Sequence, residues 1–411
     1  MKTFLDQIGP GILVGLVALP VLARDHSYTF YDMGFLGCPS DPYTEATDVN
    51  DTGVVSASSV VNGCIEGHAF TWFNGVKTDL DDAYEKGNFA SAEAIGRTGV
   101  IMGAGLPPAY VLDMRDGVVT LHDPPAGCEQ NGYPRGMNTA GTIIAGRCSD
   151  GGSIFSPAVY WIEDGTALAL DLLPGLPDDA TGEARDVNDA GVVIAQIDGE
   201  ARAYTWIDGV ITEIPNLVGG TGIGVAGINN HNLIVGEVVG VGAMSYDLNS
   251  GEMTILGSGR ADGVNDRGSA VGRDILDFSA VHAILYEGGD AIDLSPFFPP
   301  VLADDARARA INNYGWIVGW GDDDTGSAHG WLLVPIYDKG DYDGDGDLDH
   351  QDFQHFQRCF AAEPYIDGTL HVGCSVFDFD DDVDLDLDDY AAFQSAFTGP
   401  TAPNLNPNGP G

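Results

Sequence analysis

Apolar and polar positions alternate along this chain in short runs, and one order of runs is repeated seven times. In Ala184–Ile214, the stretch ARDVNDAGVVIA is followed by a short polar gap and then by ARAYTWIDGVITEI. The pattern predicts a polar turn, a β-rich run, a second run ending in an aromatic, a turn at Asp208-Gly209 and a third run. Short β-branched and aromatic runs bounded by Asn, Asp and Gly favour strands joined by tight hairpins. Asn-Asp-x-Gly and its variants place residues that tolerate positive φ where such a turn needs them.

Aligned on that turn, the copies have anchors at Gly53, Gly99, Gly141, Gly191, Asn232, Gly268 and Gly315, a period of 36 to 50 residues. Self-similarity at that period indicates an array or a propeller, because one small sheet cannot bury its faces alone. The seventh copy stops at His329–Val334 without its final strand, and Tyr28–Leu36 has the look of the missing one. Residues 24–335 are therefore expected to be mainly β, a seven-bladed β-propeller closed by the N-terminal strand. Closure removes the sheet edges that an open β-solenoid would have to cap.

His68, His282 and His329 fall at one register of the repeat, as do Asp48 and Asp186. Residues repeated at one register are read as serving packing and turns. No G-x-S-x-G, H-E-x-x-H or phosphate loop occurs, so neither catalytic nor cofactor-binding residues are assigned.

The repeat resembles the extracellular HAF-repeat family, on the pattern Y-x-F-x-D-x-G-x-L, A-x-x-(I/V)-N-x-x-G-x-(I/V)-x-G and (H)-A-F-x-W-x-x-G. The triplet that names the family stands at His68-Ala69-Phe70, and the resemblance covers Tyr28 to Val334. It implies an exported β-repeat protein and brings no established chemistry.

Export is also expected from residues 1–23: Lys2 precedes an apolar run from Ile8 to Leu22, with small residues at Val21-Leu22-Ala23 for cleavage. A membrane anchor is the alternative, but the run is short and holds Gly9, Pro10, Gly11, Gly15 and Pro20. No later run is apolar enough to span a bilayer after cleavage. Six cysteines in an exported chain point to disulfides, with sequence-near pairs Cys38–Cys64, Cys128–Cys148 and Cys359–Cys374. A formal charge of −45 argues against nucleic acid as a partner and favours cations.

The charge concentrates after Val334-Pro335. From Asp338 to Asp389 there are 17 acidic residues against Lys339 and Arg358. DYDGDGDLDHQD (Asp341 to Asp352) has the spacing of an EF-hand type loop, which takes oxygen ligands at positions 1, 3, 5, 7, 9 and 12 and a turn glycine at 6. Those positions are Asp341, Asp343, Asp345, Asp347 (through its carbonyl), Asp349 and Asp352, with Gly346 at 6 and apolar Leu348 at 8. DFDDDVDLDLDD repeats it with Asp378, Asp380, Asp382, Asp384 (carbonyl), Asp386 and Asp389, and with Val383 in the glycine's place. A β-branched residue suits positive φ poorly, so two calcium ions are expected, the second more weakly held. Each loop leads into a helix, with Phe353, Phe356 and Phe360 or Tyr390, Phe393 and Phe397 predicted on one face.

Two loop–helix units back to back resemble a type I dockerin, over Gly340 to Thr398. In that family loop positions 10 and 11 contact a cohesin; here they are His350-Gln351 and Leu387-Asp388. Residues 336–399 are thus expected to be a small α-helical calcium module, and residues 400–411 a disordered tail. The resulting expectation is a secreted or cell-surface protein, non-catalytic, that binds or displays. Its partners would be a cohesin-like protein, a cell-surface component or a glycan. The alternatives are a polysaccharide-degrading glycoside hydrolase or lyase carrying the module as an assembly tag, and a module acting only as a clamp on the propeller.

Overall fold

The computed structural model describes residues 26–399 except the internal segments 38–41, 62–65, 85–88, 105–108, 115–116, 123–129, 150–154, 162–166, 170–180, 198–200, 278–279 and 362–369. The expected export signal and tail lie outside the described residues, as do Cys38, Cys64 and Cys128.

Seven four-stranded antiparallel sheets, each packed on the next and the last on the first, form a β-propeller. Six of them run in simple chain order. The remaining sheet is completed by the N-terminal strand Tyr28–Asp32, which pairs with Ala328–Pro335 so that Tyr28 faces Pro335 and Asp32 faces Trp331. This is the closure expected from the truncated seventh copy. It also explains the repeated histidines. His68 Nδ1 lies 2.9 Å from Asp79, and His282 Nδ1 lies 2.9 Å from Asp293, each on the outermost strand of its sheet. His329 Nδ1 lies 3.0 Å from Asp32. The N-terminal strand therefore supplies the same partner at the same register as an outer strand would.

All seven turn anchors have positive φ, from 66° at Asn232 to 85° at Gly268. The asparagine three residues before the anchor does a different job. In Asn188, for example, Oδ1 accepts from the N–H groups of Ala190 and Val192 and closes the turn. Its Nδ2 reaches the carbonyl of Asn229 in the next sheet, at 3.1 Å. Asn229, Asn265, Asn312 and Asn50 hand on the same bond to Asn265, Asn312, Asn50 and Gly96, at 2.9 to 3.2 Å. A buried amide that satisfied its own turn only would leave two donors unpaired at a cost of about 1–3 kcal/mol. Here the spare donor stitches neighbouring sheets together around the axis.

Every innermost strand also carries a β-bulge at one register. The residues left unpaired are Thr47, Glu93, Arg135, Arg185, Ala226, Asp262 and Arg309. A bulge re-aims one side chain, and all seven line the central cavity.

After Pro335 come helix α1 (His350–Ala361) and helix α2 (Leu387–Ala396). Their core is Phe356, Phe377, Phe393 and Leu385 around the Cys359–Cys374 disulfide, the one pairing among the three expected whose two members are both described. Cys148 is also disulfide-bonded. On the predicted helix faces Phe353, Phe356 and Phe360 stack in a row and Phe393 meets Phe397; Phe356 and Phe393 are buried, while Phe360 and Phe397 are 40% and 38% exposed at the edge of the small core.

Candidate metal centres and axial cavity

The two acidic loops share one internal wiring. At position 1, Asp341 and Asp378 each accept from the N–H at position 6, Gly346 and Val383, at 3.1 and 3.2 Å. At position 12, Asp352 accepts from Tyr342 and Asp349 at 2.8 Å each, and Asp389 from Phe379 and Asp386 at 2.6 and 2.9 Å. These bonds curl each loop so that its carboxylates converge. Oxygens of Asp341, Asp343 and Asp352 lie within 4.8 Å of one another, as do those of Asp347, Asp349 and Asp352. The second loop gathers Asp378, Asp380 and Asp389, and Asp384, Asp386 and Asp389, in the same way. Position 5 is the exception: Asp345 and Asp382 belong to no such group, and each accepts from the N–H two residues on. Val383 is forced to φ 71°, where Gly346 sits at 90°.

Burial raises Asp341 and Asp352 to about 6, with the neighbouring carboxylates Asp343 and Asp345 adding to the effect on Asp341. Asp341 is 5% exposed, and its Oδ1 has no hydrogen-bond partner. A buried carboxylate oxygen is costly unless a cation or donor meets it. Oxygen-only donors at this spacing fit a hard divalent ion, calcium before magnesium, since the loop offers six or more oxygens in flexible geometry.

The first loop is also lodged against the propeller. Arg267, in the turn of the sixth sheet, approaches Asp343 at 3.5 Å and donates to its carbonyl. His355 of α1 stacks on Tyr342 at 4.0 Å and lies 2.9 Å from the Tyr314 hydroxyl. Burial lowers His355 to about 4, so the ring is neutral there. Trp316 is wedged between the two bodies. A Cβ on Gly53 would come within 2.7 Å of its indole, and one on Gly373 within 2.5 Å. In the second loop, Lys339 of the connecting segment lies 2.7 Å from Asp381 and donates to the Asp378 carbonyl, and Phe379 lies against Gly340.

On the propeller axis, residues of all seven sheets line an open cavity of about 240 Å³. Asp48 and Asp186 lie in its wall. Each bridges two sheets: Asp48 accepts from Val49 and Ile95, and Asp186 from Val187 and Ile228, at 2.8 and 3.0 Å. Burial pushes them up to about 6 and about 7. Each thus links its own sheet to the next through backbone N–H groups. The axial charges on the bulges were not assigned from the sequence. A signal existed: each bulged residue stands six places before the turn anchor, so Arg135, Arg185 and Arg309 form a column in the alignment.

No family model matches this chain, and no curated protein matches it. Solved structures do. An oligogalacturonate lyase in complex with manganese superposes with a TM-score of 0.51 at 11% identity, over 76% of this chain and 96% of that one. The oligogalacturonate lyase of Vibrio parahaemolyticus gives 0.52 at 12%, over 75% and 97%. The extracellular domain of a proposed one component system from B. thetaiotaomicron gives 0.50 at 12%, over 78% of this chain and 42% of that one. No helix among the described residues is long and apolar enough to cross a membrane. At these identities the likeness establishes one thing, that the chain is a β-propeller.

Proposed function

We propose that the chain is an exported, non-catalytic binding or display protein, a β-propeller carrying a dockerin-like module that holds two calcium ions. The observation that carries the reading is the buried Asp341 carboxylate, whose Oδ1 finds no donor at the centre of a loop where Asp343 and Asp352 converge on it. The repeat of the same wiring around Asp378 and Asp389 supports a second ion. His350-Gln351 and Leu387-Asp388, the positions that the dockerin resemblance marks for a partner, are exposed, and Leu387 is 71% so. A docking partner therefore has access to them while Tyr342 and His355 face the propeller. Those inner contacts equally support an intramolecular clamp, and one module can do both.

Calorimetric titration of the calcium-stripped full chain tests the proposal. Two equivalents should bind, the first more tightly, with a rise in melting temperature. An Asp341→Asn variant should lose the tighter one. Absence of calcium uptake by the wild type would sink it. A polysaccharide-degrading enzyme is the second reading, favoured by the axial cavity in a fold that oligogalacturonate lyases share. Inactivity of the purified chain across pectic and algal polysaccharides, with glycan binding retained, would remove that one.

A further inference from the structure

The bulges aim seven side chains at the axis, and the wall is crowded with charge, yet nearly all of it is already committed. Arg135 and Arg185 both hold Glu183, at 2.8 and 2.5 Å. Arg260 and Arg273 hold Asp262, at 2.8 and 3.0 Å, and Arg97 holds Asp51 at 3.0 Å. Glu93 accepts from Ser91 and faces Arg135. Asp266 accepts from the N–H of Asn230 in the neighbouring turn. Asp48 and Asp186 have both oxygens filled by backbone N–H groups. Arg309 stands apart. Among the described residues its guanidinium makes no ion pair within 4.0 Å and no hydrogen bond, although it lies in the cavity wall.

That placement runs against the composition. The chain has 62 acidic and only 17 basic residues, and five of the basic ones, all arginines, line this one cavity. Asp48, Glu93 and Asp186 feel the charge of Arg309, but none of them pairs with its guanidinium within 4.0 Å, and the bulge between Ala308 and Ala310 aims the side chain toward the axis. A guanidinium is planar and weakly hydrated, and it presents paired N–H donors whose spacing matches a carboxylate.

We propose that the axial cavity binds a small carboxylate through Arg309: a single sugar acid, the acidic end of a glycan, or a short organic acid. At about 240 Å³ the space is below the roughly 300–1,000 Å³ of sites for drug-sized ligands, so one ring or a short chain is the limit. The surrounding backbone-bonded aspartates and paired arginines fix the wall and offer polar edges to the hydroxyls of a sugar. This assignment deepens the binding reading by naming the ligand class, and it rests on that reading. It does not require calcium.

The test is calorimetric titration of the full chain, calcium-loaded, with sodium galacturonate, with succinate, and with galactose as the neutral arm. Calcium stoichiometry is read in the same samples, so failure of the metal sites and failure of the cavity are separate results. One or both acids should bind and galactose should not; which acid binds tells a sugar acid from a simple one. Arg309→Gln should weaken acid binding at least tenfold with calcium content unchanged, and Arg309→Lys should fall between. If Arg309→Gln does not fold, Arg309→Lys decides: weakened acid binding supports the assignment and unchanged binding overturns it. Two other outcomes overturn it outright: no acid binding by the wild type, or an acid affinity that Arg309→Gln leaves intact.

Discussion

The two acidic loops have the same length, the same spacing and the same hydrogen-bond wiring, and they differ in their surroundings. In the Asp341 loop, Asp341, Asp343, Asp347 and Asp352 are all buried, and the loop leans on Arg267 and Tyr314 of the propeller. In the Asp378 loop only Asp378 and Asp389 are buried, and four ligand positions face solvent. Spacing alone makes the two sites look alike. Burial makes the first a place where Asp341 and Asp352 resist ionisation without a cation; in the more exposed second loop, desolvation and the neighbouring carboxylates still raise Asp380 and Asp384. The lesson concerns coupling: the loop with the larger need for metal is the one bolted to the rest of the molecule.

The comparison can be broken hardest at position 12. Asp352→Ala removes the acceptor for two or three loop N–H groups as well as a proposed metal ligand. At about 1 kcal/mol for each lost bond, it should destabilise the module by about 2–3 kcal/mol even without calcium. It should also lower affinity at the first site by roughly two orders of magnitude, a ligand loss of about 3 kcal/mol by the same scale. Asp389→Ala should cost less on both counts, because its loop is already solvated. Equal losses in titrations of the two variants would erase the distinction drawn here.

A pH series sharpens it next. A carboxyl whose pKa is higher folded than unfolded binds its proton more tightly in the folded state. Its contribution is therefore full at low pH and is lost as pH rises toward the folded value. With Asp341 and Asp352 raised to about 6, melting of the calcium-stripped chain's module should fall between about pH 4 and 6. Saturating calcium should flatten or reverse that slope, since the ion favours the ionised form. A calcium-free melting curve with no such fall would remove burial as the cause of the difference.

The smallest effect is expected at Val383. Relief of a β-branched residue at φ 71° by Val383→Gly should gain about 1 kcal/mol in the calcium-bound second loop, roughly fivefold in affinity. Gly346→Val should lower the first site correspondingly. If Val383→Gly left the second site unchanged, exposure alone would account for its weakness.

Much of this was legible in the chain. Turn chemistry is local, so Gly53, Gly191 or Gly315 announced their positive φ directly, and Tyr28–Asp32 betrayed itself as a strand without a sheet. The convergence of the loop carboxylates was equally plain because a twelve-residue loop carries its own geometry. What could not be read were contacts set by register and by docking. The fixed offset from the turn put Arg135, Arg185 and Arg309 in one column, but it did not say that the position is bulged toward the axis, or that Asn188 spends its amide on the next sheet. Phe360 and Phe397 fit a helical face by periodicity, yet they lie at the edge of the module's core. Nor does the sequence place His355 against Tyr314, 41 residues before it.

The strand that closes the ring has a consequence for the order of assembly. Asp32 and His329 are 297 residues apart, so during synthesis the Tyr28–Asp32 strand has no pairing partner until Ala328–Pro335 has been made. Through that interval it presents an unpaired edge, the feature most apt to recruit a strand from another molecule. Its lifetime, set by how fast the intervening sheets assemble, is the interval in which a nascent chain is most exposed to misjoining.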